Sequence, residues 1–126
     1  MDEPPLRQTE VVIDCADHDV VIGFWSAALG GWRRRDVDAQ FVALVPPPEQ
    51  RTGDGPRPLP LLFQKVPEPK VVKNRVHLDI RAPDMRVEVA RLVGLGASVI
   101  AERSMGDFRW TVLSDPEGNE FCVSGG

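Results

Sequence analysis

The sequence is poor in the features that commit a chain to nucleic acid, membrane or disulfide chemistry. Its one basic cluster is Arg33-Arg34-Arg35. On a strand those side chains alternate in direction, which describes a solvated edge better than the continuous cationic track that phosphate backbones require. With 15 basic against 19 acidic residues and a net charge of -4, nucleic acid is set aside as a partner. No apolar run approaches the roughly 20 residues of a membrane span. The opening Met1-Asp2-Glu3-Pro4-Pro5 lacks the basic start and apolar middle of a secretory leader. The two cysteines, Cys15 and Cys122, lie far apart and outside any C-x-x-C metal spacing. The expectation is a soluble, cytoplasmic protein with reduced thiols and neither a nucleic-acid nor a membrane partner.

What is present centres on Asn74-Arg75-Val76-His77-Leu78-Asp79-Ile80-Arg81-Ala82-Pro83-Asp84. Apolar and polar residues alternate with period two, so a strand over Val76 to Arg81 turns Val76, Leu78 and Ile80 to one face and His77, Asp79 and Arg81 to the other. Asp84 then opens a helical run, and Glu10-Val11-Val12-Ile13-Asp14-Cys15-Ala16-Asp17 is an earlier echo. A length of 126 residues fits one domain, 1–126, with a core that needs no metal or disulfide staple.

In chain order, Glu10 to Cys15 reads as a strand with Val11, Ile13 and Cys15 on one face and Glu10, Val12 and Asp14 on the other. Asp17 suits an N-cap, with His18 exposed in the first helical turn and Asp19 adding favourable charge. Val21, Phe24, Trp25 and Ala28 follow at helical spacing, and Gly30-Gly31 ends the helix. Trp32 to Arg35 and Gln40 to Val45 form a hairpin. Pro46 to Pro60 carries six prolines and two glycines and predicts a long exposed loop. Leu61 to Val66 resumes as a strand, and Pro67 to Lys70 is a stiff connector. The second half brings a helix over Asp84 to Leu95 with Met85, Val89, Leu92 and Val93 as its buried stripe, stopped by Gly96. Strands follow at Ala97 to Glu102, Phe108 to Ser114 and Asn119 to Ser124, the last two joined by the tight turn Asp115-Pro116-Glu117-Gly118.

The halves align. Glu10 matches His77 and Asp17 matches Asp84 at an offset of 67, while Phe63-Gln64 matches Phe121-Cys122 at 58, the proline-rich loop making the difference. The fold class this predicts is α+β: two tandem βαβββ modules, about 8–66 and 74–124, whose curved mixed sheets form a barrel-like cavity. Glu10, Asp14, Gln64, His77, Asp79, Arg81, Glu120 and Cys122 should point into it. His77 with Asp79 on the same face is either an acid-base pair or a hydrogen-bonded cavity histidine. Glu10, Asp14 and Asp79 either share acid and base work or are neutralised by an Arg81 ion pair closing one end. Trp25, Trp32 and Trp110 are core candidates, and Trp110 or Trp32 also suits a flat wall for an aromatic ligand.

Phe24-Trp25 with Leu29-Gly30, the Phe63-Gln64 strand, Asn74 to Asp79 and Asp115-Pro116-Glu117-Gly118-Asn119-Glu120-Phe121-Cys122 together resemble the glyoxalase/bleomycin-resistance/dioxygenase superfamily, the vicinal oxygen chelate proteins, in its glyoxalase-like subgroup. The resemblance covers Glu10 to Val123. It implies metal-ligand positions at the first and last strand of each module, held here by Glu10, Gln64, His77 and Cys122, with Cys122 standing where the family pattern has Glu. Glu10, Gln64 and His77 then imply a divalent ion (zinc, nickel, iron or manganese), set against a metal-free cavity in which Cys122 is a small buried filler. The functions implied are a metal-assisted lyase, isomerase or dioxygenase-type enzyme with His77, Glu10 and Asp79 as catalytic groups, or a non-catalytic protein sequestering an antibiotic or aromatic metabolite. Asp14, Gln64, Arg81, Trp110, Glu120 and Cys122 would contact that small-molecule ligand, and the exposed edges of open sheets are compatible with a homodimer.

Overall fold

Both helices begin at an aspartate. Asp17 has extended backbone, φ -132° and ψ 109°, and its carboxylate accepts a hydrogen bond from Asp19 N; Asp84 repeats the arrangement at φ -133° and ψ 107°, accepting from Arg86 N and Val87 N. These caps satisfy amides that have no partner within the helix. The computed structural model, which describes residues 9–50 and 58–125, accordingly has α1 over His18–Ala28 and α2 over Met85–Leu95. Neither helix is long and apolar enough to cross a membrane. The helices end at Gly30 and Gly96, whose φ values of 82° and 122° suit glycine alone among common residues.

The described residues hold eight strands: β1 (Val11–Cys15), β2 (Arg33–Asp36), β3 (Phe41–Val45), β4 (Leu61–Lys65), β5 (Asp79–Arg81), β6 (Ser98–Met105), β7 (Phe108–Ser114) and β8 (Glu120–Ser124). They pair into two four-stranded sheets with one order repeated, β1-β4-β3-β2 and β5-β8-β7-β6. In each, the first strand runs parallel to the last and the remaining pairs are antiparallel. The architecture is α+β, built by two passes of strand, helix, strand, strand, strand. Among the described residues no ladder joins the two sheets into one ring.

The period-two pattern decides which face is buried. Val11, Ile13 and Cys15 of β1, Phe63 of β4, and Leu113, Phe121 and Val123 of β7 and β8 join Val21, Phe24, Trp25 and Leu92 in one apolar cluster. That cluster crosses between the repeats. Phe121 lies with its ring centroid 4.9 Å from Trp25 and 5.9 Å from Phe24, in edge-on or tilted contacts that add to simple burial. Arg91 of α2 donates to the carbonyls of Ala27 (3.2 Å) and Ala28 (2.8 Å) at the end of α1, joining Gly30 N as a donor to Ala27, while its charge meets the negative end of the helix dipole.

Several expectations are corrected. The strand over Val76 to Arg81 shrinks to Asp79–Arg81, and Val76 is exposed. Glu120 opens β8, and its carboxylate takes the Asn74 N–H, so the chain just upstream is tied by a side chain rather than a ladder. In α2 only Leu92 is fully buried; Met85 and Val89 pack partly, and Val93, off the stripe they form, is exposed. His18 is half-buried, its Nε2 2.9 Å from the Gln40 carbonyl. Pro46 and Pro47 are buried, and a 3-10 turn occupies Pro48–Gln50; residues 51–57 lie outside the described residues, and of the loop's last three only Leu59 is exposed. β6 runs on to Met105.

Candidate functional site

Parallel pairing of β5 with β8 sets Asp79 opposite Cys122, Ile80 opposite Val123 and Arg81 opposite Ser124. Ile80 and Val123 belong to the apolar cluster, so Asp79, Arg81 and Cys122 project from the face away from the helices. His77 precedes the strand, where the Cys122 N–H donating to the Leu78 carbonyl at 2.9 Å keeps the chain alongside β8. The result is a convergence: His77 Nε2 stands 3.2 Å from Asp79 Oδ1, and ligand atoms of His77, Asp79 and Cys122 all lie within 4.8 Å of one another. The imidazole is 42% exposed and the carboxylate 64%, whereas the thiol is buried. Burial pushes the Cys122 thiol pKa up, the Asp79 charge pushes the same way, and Lys73 opposes them.

The chemistry of this donor set suits a borderline divalent ion. It offers one imidazole nitrogen, one carboxylate oxygen and one sulfur, the donor types zinc accepts, and three protein ligands leave a coordination position free for a small molecule. An entering ion would take the thiol as thiolate, displacing its proton.

The other positions named from the sequence are distributed differently. Glu10 is exposed at the head of β1, where the Val11 N–H bonds to the Pro60 carbonyl, and it does not join the donor cluster. Gln64 lies opposite Asp14 of β1 and Phe41 of β3, on the first sheet. Asp14, His77 and Glu120 line a cavity of about 420 Å³ at the seam between β1 and the segment that precedes β5. Glu10, Gln64, Asp79, Arg81, Trp110 and Cys122 are not among its lining residues. The sheltered hollow expected for all eight polar residues is thus divided: Asp14, His77 and Glu120 line the seam cavity, Asp79, Arg81 and Cys122 lie on the second sheet beside His77, and Glu10 and Gln64 go with the first sheet. Arg81 makes no ion pair among the described residues, and Asp79 is met by His77 instead. Arg33, Arg34 and Arg35 are exposed on β2, as a solvated edge requires, with Arg34 held by Asp19 and Asp36.

Glu120 anchors the boundary. Its carboxylate accepts from Asn74 N at 3.0 Å and Lys70 Nζ at 3.3 Å, and Asn74 Nδ2 reaches its carbonyl at 3.4 Å. Burial raises its pKa, but the hydrogen bonds from Asn74 and its own backbone, with Lys70, outweigh this and hold it below the usual carboxylate range. The sequence reading missed Glu117, whose carboxylate accepts from Ala16 N at 2.7 Å and Asp17 N at 3.3 Å, a link from the β7–β8 turn to the end of β1. It also missed Asp115, buried and bonded to Trp25. Both sit in a turn legible as a turn; nothing local announces their distant partners.

The ladder orders the rest of the face away from the helices. Asp79, Cys122, Val112 and Ala101 are successive partners in one row, and Arg81, Ser124, Trp110 and Arg103 in another. Beside them Phe108, half-exposed, lies with its ring centroid 5.5 Å from that of Trp110 at an interplanar angle of 32°.

A family profile described as a glyoxalase-like domain matches residues 10–124. No curated protein sequence matches the chain. Among solved structures, a mutant of the fosfomycin resistance protein FosX from Listeria monocytogenes, complexed with Mn(II) and 1S,2S-dihydroxypropylphosphonic acid, is similar with a TM-score of 0.69 at 11% identity, covering 93% of this chain and 87% of that one. Lactoylglutathione lyase from Agrobacterium tumefaciens gives 0.64 at 19% identity over 98% and 96%. The bleomycin-binding protein from Streptomyces verticillus, complexed with copper(II)-bleomycin, gives 0.60 at 16% identity over 98% and 99%. At these identities the likeness is one of fold.

Proposed function

The chain belongs to the glyoxalase-like domain family of the vicinal oxygen chelate superfamily, and on that premise we propose that it holds a divalent metal ion at His77, Asp79 and Cys122 and acts there on a small molecule bearing adjacent oxygens. The observation that carries this reading is the approach of three ligand atoms to within 4.8 Å on neighbouring strands. When bound, such an ion polarises a substrate oxygen as a Lewis acid, the chemistry of a lyase, isomerase or ring-opening enzyme. The chain's own residues do the rest. Before an ion enters, Asp79 beside Nε2 orients the imidazole, and the Glu120–Asn74–Lys70 clamp positions the segment that carries His77. Glu10 does not join this set, and Gln64 belongs to the first sheet, opposite Asp14.

Metal analysis of the purified protein tests it. About one equivalent of zinc, nickel, iron or manganese should be retained, and His77→Ala or Cys122→Ser should lose it. A chain that takes up none of these ions after dialysis against each would sink the proposal. A second reading, sequestration of an aromatic small molecule without turnover, is favoured by the pairing of half-exposed Phe108 with part-buried Trp110 and would show as tight ligand binding by metal-free protein. The exposed edge strands β2 and β6 suit a homodimer, which sedimentation would reveal.

A further inference from the structure

Thr111, Leu113, Phe121 and Val123 are buried on the helix side of the second sheet. The intervening residues of β7 and β8 lie on the opposite face, where Cys122 and Ser124 are buried, Trp110 and Val112 are part-exposed and Phe108 is half-exposed; its rows stand about 7 Å apart, twice the rise per strand residue. One row carries Asp79 and Cys122; the next places Trp110 directly beside Arg103, with Arg81 at its far end. Phe108 extends the aromatic surface past Trp110. Neither Arg81 nor Arg103 has a carboxylate partner among the described residues, although acidic residues outnumber basic ones in the chain as a whole. The face thus combines a tilted aromatic pair, two guanidinium groups without a carboxylate partner among the described residues and, one row away, the donor cluster.

We propose that this face selects a planar aromatic carboxylate, its ring on Trp110 and Phe108, its carboxylate on Arg103, and its oxygen substituents directed along β8 toward His77, Asp79 and Cys122. The proposal names the substrate class for the site given above and rests on that reading for the donor end alone. Its physical basis is charge sign. A guanidinium beside an indole favours a carboxylate through paired N–H donors and disfavours a cationic ligand, while the rings bind any flat molecule regardless of charge. Arg81, on the same strand as Asp79, adds to the positive field at the donor end.

Calorimetric titration of chelator-treated protein tests this with 6-hydroxy-2-naphthoate, whose hydroxyl and carboxylate lie at opposite ends of the ring system, neutral 2-naphthol and cationic 2-naphthylmethylamine. The naphthoate should bind at least about tenfold more tightly than either analogue. Arg103→Gln should erase that preference, and Phe108→Ala, at a half-exposed position that leaves the core intact, should weaken naphthoate and naphthol alike. Both variants should keep the metal content of the unaltered protein. Equal affinity for the three probes, or a preference that survives Arg103→Gln, overturns the proposal. A protein that takes up metal but shows no charge preference fails here and leaves the metal reading standing. One that prefers the naphthoate yet takes up no metal has the reverse outcome.

Discussion

Trp25 Nε1 donates a hydrogen bond to Asp115 Oδ2 at 2.9 Å, joining the first helix to the turn before the last strand across 90 residues of chain. The same carboxylate accepts from Glu117 N, Asn119 N and Asn119 Nδ2, so it closes its own turn while it receives the indole. Buried and surrounded by donors, Asp115 is a structural acceptor.

Replacing Trp25 by Phe keeps an aromatic ring against Phe121 but strips the buried carboxylate of one donor. The expected cost is about 1–3 kcal/mol, read as a lower urea midpoint at unchanged slope. An unmoved midpoint would show that the bond contributes nothing.

The Arg91 guanidinium holds the Glu88 carboxyl below its ordinary value of 4.5, first by hydrogen bonding and then by charge, against the opposing effect of burial. A depressed folded value means that the stabilisation is complete above the unfolded value and disappears as pH falls through the folded one. Because Arg91 is 43% exposed, Glu88→Gln should cost only about 0.5 kcal/mol at pH 7. The gap between variant and parent should narrow from pH 7 downward and close once pH has fallen through that depressed value. Thermal melts across that range check it, and a gap that persists in acid would contradict it.

Cys15 is 3% exposed, and its thiol is pushed up to about 11 by burial, with the charges of Glu117, Asp14, Asp17 and Asp115 adding to the shift. At pH 8 only about one thiol in a thousand is ionised, so native Cys15 should resist iodoacetamide until the protein unfolds. Mass spectrometry of the labelled peptide, with and without urea, measures this; rapid native labelling would refute it.

β6 is an edge strand of eight residues with Ile100 and Met105 exposed. An unpaired edge with apolar side chains invites pairing with another chain, and a charge blunts it. Ile100→Lys should lower light scattering at high concentration while leaving the melting temperature within about a degree, since an exposed side chain contributes little to folding. Unchanged scattering would argue that this edge is not where chains meet.

Much of the architecture was legible because its signals are local. Asp17 and Asp84 are caps by their own carboxylates, Gly30 and Gly96 are stops by their own φ, and the Asp115 to Gly118 turn closes on itself through the Gly118 N–H to Asp115 carbonyl bond at 2.9 Å. The alternation before Asp79 was overread as strand, because periodicity records which residues would share a face and not whether a neighbouring strand is there to pair. The grouping of His77, Asp79 and Cys122 depends on the β5–β8 register. The family resemblance carried His77 and Cys122, whereas Asp79 came from strand alternation. Glu117 reaching Ala16, and Arg91 reaching Ala28, could not be read, since both depend on how the repeats pack, which neither sequence stretch encodes alone.

The crossing of Trp25 to Phe121 and Asp115 makes each repeat depend on the other for its covering. Severed between Pro67 and Lys70, the gene would yield two fragments with greasy scars, each prone to precipitate by itself and driven to reunite when co-expressed. That obligate reunion would make the chain a ready frame for a split reporter.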